Sequence, residues 1–286
     1  MPRIRDDLLN SILYLYPSES DAKNGLNDGG TGFLVAVPAE KYPPHSAIYA
    51  VTNSHVITHS EKHGCKVIRF NTRDGNTEIL KTENKQWIHH PEHDDIAIMR
   101  LPFKEGIKSY YIHANAFITQ DDIHEHNIGP GDDTYMIGRF SGHSGKKNNL
   151  PCVRFGNISM MPYESIFQRE RMHEQECFLI ETRSLTGSSG SPAFLYIPPT
   201  ADRPEYDILK TFQKSRQWFL GINCGHIHLS EKIYKNITGQ NTQKACKNFT
   251  VPINSGQAMV IPAWRIYNML YSDDFINDRE SAPSSP

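Results

Sequence analysis

The feature that most restricts how this chain folds is the shortness of its apolar runs. Between residues 11 and 261 hydrophobic segments end after a few residues at Gly, Pro, Asn, Asp or Ser clusters. A chain patterned in this way builds short strands joined by turns. Ser11 to Tyr16, Thr31 to Val37, Ala47 to Thr52, Cys65 to Phe70, Thr77 to Lys81, Trp87 to His90 and Ile96 to Leu101 read as strands of a first half. Thr134 to Gly138, Val153 to Met160, Cys177 to Thr182, Pro192 to Tyr196, Trp218 to Cys224 and Gln257 to Ile261 read as strands of a second. Such spacing suits a barrel or a sandwich.

Residues 3–10 are a short helical lead-in, 102–130 a polar connector, and 141–150 and 197–217 polar loops. The segment from Pro262 to Tyr271 departs from the pattern. There Trp264, Ile266, Tyr267, Leu270 and Tyr271 recur at helical spacing behind a proline suited to a first turn. This predicts a C-terminal helix over 262–272 packed on the second half, then a flexible tail over 273–286 that ends Ser/Pro-rich.

The strongest chemical signal is Gly187-Ser188-Ser189-Gly190-Ser191-Pro192, placed after the apolar run that begins at Cys177. Two glycines around a serine build a tight loop that exposes the Ser189 hydroxyl. Its backbone N–H groups, those of Gly187 and Ser189, can converge on one developing negative oxygen. A serine is a weak nucleophile near neutral pH and needs a base, which in turn needs an orienting group. Thr52-Asn53-Ser54-His55-Val56 and Asp95-Ile96-Ala97-Ile98 supply His55 and Asp95. Asp94 is the rival for the acid; strand register favours Asp95.

These motifs, with Gly32-Phe33-Leu34-Val35 before the histidine and Gly256-Gln257-Ala258-Met259-Val260-Ile261 near the end, resemble the trypsin/chymotrypsin-like serine peptidases. The likeness is to the disulfide-free bacterial HtrA-like branch, without a PDZ domain, and covers roughly residues 11–272. The resemblance implies an all-β fold: two six-stranded antiparallel β-barrels, about 11–101 and 131–261, linked by the 102–130 connector and closed by a C-terminal helix. It implies His55 as general base, Asp95 as its orienter, Ser189 as nucleophile, and the N–H groups of Gly187 and Ser189 as oxyanion hole. It also implies a substrate pocket near Arg183, Thr186, Asn223, Gly225 and His226, where a cation at 183 would favour an acidic residue. The sequence departs from the secreted enzymes at Val56, where they place a cysteine. It departs again at Ser188, where they place the aspartate that pairs with a newly cut N-terminus.

The expected activity is serine endopeptidase cleavage of protein or peptide substrates through an acyl-enzyme. The alternatives are a catalytically silent binding module and an esterase. An open triad would be harmful among cellular proteins, so an activating protein partner or a conformational switch in the 187–191 or 141–150 loop is expected.

Composition narrows the rest. The 286 residues are 38% hydrophobic and 22% charged, enough for one large or two small all-β units. A net charge of −2 argues against nucleic acid or a membrane surface as a partner. No apolar run nears the roughly 20 residues that cross a bilayer. The N-terminal residues do not read as a secretory signal, which makes a cytoplasmic location the expectation. Cys65, Cys152, Cys177, Cys224 and Cys246 are odd in number, widely spaced and free of C-x-x-C, so reduced thiols are expected. The pairs His89-His90, His124/His126 and His226/His228 lack a third ligand at a recognisable spacing, so no metal and no cofactor are expected.

Overall fold

The structure, a computed structural model, describes residues 3–26, 29–41, 43, 45–58, 64–83, 86–102, 110–140, 143, 145–168, 171–182, 187–198, 217–236 and 243–280. The first half folds into one sheet system. Its strands are β1 (Ile12–Tyr16), β2 (Thr31–Pro38), β3 (Ser46–Thr52), β4 (Val67–Asn71), β5 (Thr77–Lys81), β6 (Ile88–His89), β7 (Ala97–Arg100) and β8 (Ile112–His113). They lie in the order β5-β4-β1-β2-β3-β7-β6, with β8 parallel to β2. Six principal strands are thus joined by two of only two residues each, β6 and β8.

Strand alternation builds two apolar clusters from this sheet. Ile12, Tyr14 and Tyr16 face one cluster, and Leu13 and Leu15 face the other. The first cluster continues into the second half, where Phe219 meets Phe33 with ring centroids 5.1 Å apart and Phe117 at 4.6 Å. The two halves therefore share one apolar core.

The second half comprises β9 (Asp133–Gly138), β10 (Cys152–Met160), a hairpin of β11 (Ile166–Gln168) and β12 (His173–Gln175), then β13 (Phe178–Glu181), β14 (Pro192–Tyr196), β15 (Gln217–Asn236) and β16 (Gln243–Pro262). Six of these close a barrel in the order β10-β13-β16-β15-β14-β9. The last two are longer than their apolar cores. Beyond the barrel the ladder continues through Leu229↔Ile253, Glu231↔Val251 and Lys235↔Lys244 as a two-stranded ribbon. Backbone pairing needs no apolar run, so periodicity did not reveal this extension.

Short helices fill the connections: α1 (Asp6–Asn10), α2 (Glu19–Asn24), α3 (Ser54–Thr58) and α4 (Gln120–Glu125). Over its described residues 110–130 the connector carries α4, where Thr119 and Asp122 form a reciprocal capping box at the helix start. At the C-terminus α5 (Ala263–Leu270) forms over the expected helical stretch and buries Ala263, Ile266, Met269 and Leu270.

The tail expected to be flexible over 273–286 is instead helical over α6 (Asp273–Glu280). Its polar sequence hides three anchors. Phe275 is buried against Tyr49, with ring centroids 5.7 Å apart. The buried Arg279 donates to the Leu270 carbonyl at 2.6 Å. Glu280 accepts from the N–H groups of Glu40 and Lys41 at 2.8 and 3.0 Å. Composition misreads such a segment because three tertiary contacts, rather than an apolar stripe, hold it in place.

Candidate active site

His55 sits on α3, directly after β3, and this short helix is moored by the 94–96 segment. Asn53, fully buried, donates through Nδ2 to the Asp95 carbonyl at 2.7 Å, and the Ser54 hydroxyl donates to the Ile96 carbonyl at 2.8 Å. The Asp95 carboxylate reaches back in turn. Its Oδ1 accepts from the His55 backbone N–H at 3.0 Å, and its Oδ2 lies 2.6 Å from His55 Nδ1. With the carboxylate as acceptor, Nδ1 is the donor, and the neutral ring offers its Nε2 lone pair.

Asp95 is fully buried, and a buried carboxylate is costly unless it is bonded and paired. Gln175, also fully buried, accepts the Asp95 N–H at 3.1 Å and donates to Asp94 Oδ1 at 2.8 Å. Arg171, in the turn of the β11–β12 hairpin, places Nη1 3.5 Å from Asp95 Oδ2 and donates through Nη2 to the His93 carbonyl at 3.2 Å.

The rival Asp94, though linked to Asp95 through Gln175, points away from His55. It takes a hydrogen bond from Arg265 Nε at 2.5 Å, with His90 at 3.5 Å and His173 at 3.9 Å. Burial acts to lower the Arg265 pKa, but its bonds to Asp94 and Glu92 outweigh that and raise it. Burial lowers the pKa of His90, with Asp94 opposing, and lowers that of His89, with Asp95 opposing.

Ser189 is half-buried on its loop. The loop is bonded to both sheet systems. Thr31 donates through its backbone N–H to the Ser189 carbonyl and through its hydroxyl to the Gly187 carbonyl, each at 2.9 Å. Gly190 donates to the Asn223 carbonyl at 2.8 Å, and the Ser191 N–H closes the turn on the Ser188 carbonyl at 3.0 Å. Gly190 has φ +83° and packs so tightly that a Cβ there would stand 1.9 Å from the Thr31 carbonyl oxygen. Only glycine fits that approach.

Thr31 ties the two candidate motifs together, since its own carbonyl accepts from Thr52, three residues before His55, at 2.7 Å. Among the described residues no hydrogen bond joins the Ser189 hydroxyl to His55.

The expected pocket residues separate. Arg183 and Thr186 lie outside the described residues. Asn223 is fully buried, and its side chain turns to the Gly187–Ser191 loop: Nδ2 donates to the Ser188 carbonyl at 2.8 Å and to the Ser188 hydroxyl at 3.3 Å. Gly225 and His226 are half-buried on β15 just beyond Asn223, and the His226 ring lies 4.3 Å from that of His228. Among the described residues no group of three His, Cys, Asp or Glu side chains is placed to hold a metal ion. No helix among them is long and apolar enough to cross a membrane.

Sequence reasoning passed over Thr31, Gln175, Arg171 and Arg265. Thr31 alone carried a local signal, as the residue between Gly30 and Gly32 at the start of a strand. The other three act from segments remote in sequence.

A search of curated proteins gave no match. Among solved structures the chain is similar to the Rv3671c protease in an inactive form. The identity is 13% and the TM-score 0.46, over 92% of this chain and 88% of that one. It is similar also to an inactive serine-to-alanine mutant of Rv3671c from M. tuberculosis H37Rv. There the identity is 12% and the TM-score 0.46, over 92% and 87%. The family model for the trypsin-like peptidase domain matches residues 30–196, more than half of the chain and a span that contains His55, Asp95 and Ser189. The chain belongs to the trypsin-like peptidase domain family.

Proposed function

We propose that this trypsin-like peptidase is a serine endopeptidase acting on protein or peptide substrates, with His55, Asp95 and Ser189 as its triad. The observation that carries this reading is the double engagement of His55 by a buried carboxylate, at its backbone N–H and at Nδ1. The supporting one is the Ser189 loop, bonded through Thr31 to the strand end that leads to His55.

Ser189 attacks the substrate carbonyl while His55 Nε2 takes its proton. The N–H groups of Gly187 and Ser189 receive the developing oxyanion. His55 then returns the proton to the leaving amine, and water hydrolyses the acyl-enzyme, as established for this family. Asp95 holds the tautomer and stabilises the imidazolium. In resting enzymes the serine–histidine contact is often long and tightens as substrate binds.

The proposal includes a cytoplasmic location, no nucleic-acid or membrane partner, and control by a protein partner or a conformational switch, because an unregulated endopeptidase would damage its surroundings. Turnover by the purified chain that no cell fraction alters would overturn that control.

The test of the activity is fluorophosphonate labelling and peptide-library cleavage by the natural chain, Ser189→Ala and His55→Ala. Labelling and cleavage should vanish in both variants, with turnover down by roughly 10⁶. A folded natural chain that stays unlabelled both purified and in native lysate would overturn the reading in favour of a binding module. Ester cleavage without peptide cleavage would favour an esterase.

A further inference from the structure

Arg171 brings to Asp95 a charge that triad chemistry does not require. The guanidinium and the imidazole meet the same oxygen, Oδ2, at 3.5 and 2.6 Å. The two cationic groups therefore lie within about 6 Å of each other, in a site where Asp95 is fully buried. The contact is an ion pair without hydrogen-bond geometry at Nη1, while Nη2 is tethered to the His93 carbonyl.

The surrounding charges are otherwise matched. On the acid's own segment, Asp94 and Glu92 are paired with Arg265 of α5, each at 2.5 Å, and Glu176 lies 4.0 Å from the same guanidinium. His90 and His173 face Asp94. The His93 ring packs edge-on against that of His173. From β6, His89 bonds the Ser54 hydroxyl at 2.9 Å and feels the charge of Asp95. Among the described residues Arg171 is the one guanidinium or ammonium within 4 Å of Asp95.

We propose that Arg171 is a positioning residue that offsets the charge of Asp95 and thereby holds down the imidazolium form of His55. It acts through Asp95 and does not touch the reacting atoms. Because it rides on the β11–β12 hairpin of the second half, it makes the first half's acid–base pair responsive to how that hairpin is seated. The inference rests on the His55–Asp95 pairing of the proposed function.

The experiment is a pH titration of the ring signals of the full-length chain carrying isotope-labelled histidine, with His55 assigned by its loss in His55→Gln. In Arg171→Met the imidazolium-to-imidazole ratio of His55 at a fixed pH should rise roughly tenfold. Arg171→Lys, which keeps the charge, should titrate closer to the natural chain. A purely structural role would leave the titration in place and change only stability.

The proposal is overturned if Arg171→Met titrates with, or below, the natural chain. It is also overturned if Arg171→Lys behaves as Arg171→Met does. Fluorophosphonate labelling of the natural chain is run beside it. A shifted titration in a chain that never labels would retain this inference and remove the peptidase reading.

Discussion

Asn223 offers a way to separate the assembly of the Gly187–Ser191 loop, which carries the proposed nucleophile, from the stability of the fold. Its backbone bonds the loop twice, accepting from Gly190 at 2.8 Å and donating to Ser191 at 2.9 Å, and no substitution removes these. Its side chain adds the two bonds to Ser188. Replacing it by valine, whose shape suits a strand, deletes those two, at about 1 kcal/mol each. The Ser188 carbonyl keeps a partner, because the Ser191 N–H also donates to it.

The same substitution removes Asn223 Oδ1, which is buried and has no hydrogen-bond partner among the described residues. Relief of such a group is worth about 1–3 kcal/mol. The two effects nearly cancel, so the urea midpoint of Asn223→Val should move little. The loop, however, loses the bonds that fix the residue beside Ser189. Each 1.4 kcal/mol of lost positioning is about tenfold in rate, so the fluorophosphonate labelling rate should fall roughly 10- to 100-fold.

Asn223→Asp should behave differently, since it sets an unpaired buried carboxylate against the Ser188 carbonyl and should cost about 3–5 kcal/mol of stability. The assay is the second-order labelling rate, corrected for the folded fraction measured in the same sample. If Asn223→Val labels at the natural rate, or loses labelling only in step with unfolding, then Asn223 does not position the nucleophile loop.

Two further predictions probe the frame around the site. Burial lowers the pKa of His90, so the unfolded imidazole takes up a proton first and stability falls as pH drops below about 6.5. His90→Gln should flatten the pH dependence of the urea midpoint between about pH 7 and 5; an unchanged slope would assign that dependence to other groups. Phe275 is 3% exposed beneath Tyr49, so Phe275→Ala should cost about 3 kcal/mol in urea unfolding, whereas a loss below about 0.5 kcal/mol would return residues 273–280 to the status of a loose tail.

The family of this chain was more legible than its scaffolding. The residues around His55, Asp95 and Ser189 are local signals: a strand that ends in a short helix, an acid before an apolar run, a serine between glycines. The two aspartates diverge in the turn before β7, with Asp95 directed to His55 and Asp94 to Arg265. The supports were not legible, because each is a bond between segments far apart in sequence. Gln175 meets Asp95 from 80 residues away, and Arg265 meets Asp94 from 171. The α6 helix failed for the same reason, since Glu280 is held by backbone N–H groups 239 and 240 residues distant. Asn223 was legible as a residue near the site but not in its role: the alternation of β15 turns its side chain inward to Ser188.

These long-range bonds bear on how a trypsin-like peptidase with Ser188 in place of an aspartate keeps its Gly187–Ser191 loop formed. At Ser188 there is no carboxylate to pair with a liberated amine, and the loop is secured by neutral hydrogen bonds from both halves. Thr31 is the hub. It is fully buried, and its N–H, hydroxyl and carbonyl are all committed. They serve the Ser189 and Gly187 carbonyls, the Arg139 N–H at 3.2 Å, and the Thr52 hydroxyl. A slip between the two halves would break several of these at once, because hydrogen bonds weaken steeply once distance and angle are lost. The same slip would move Arg171 and Gln175 off Asp95. The Asp95 and Ser189 segments are therefore each held by contacts between the two halves. A partner that shifts one half against the other by about an ångström would act on both together, and that is enough to cost on the order of 10² in rate.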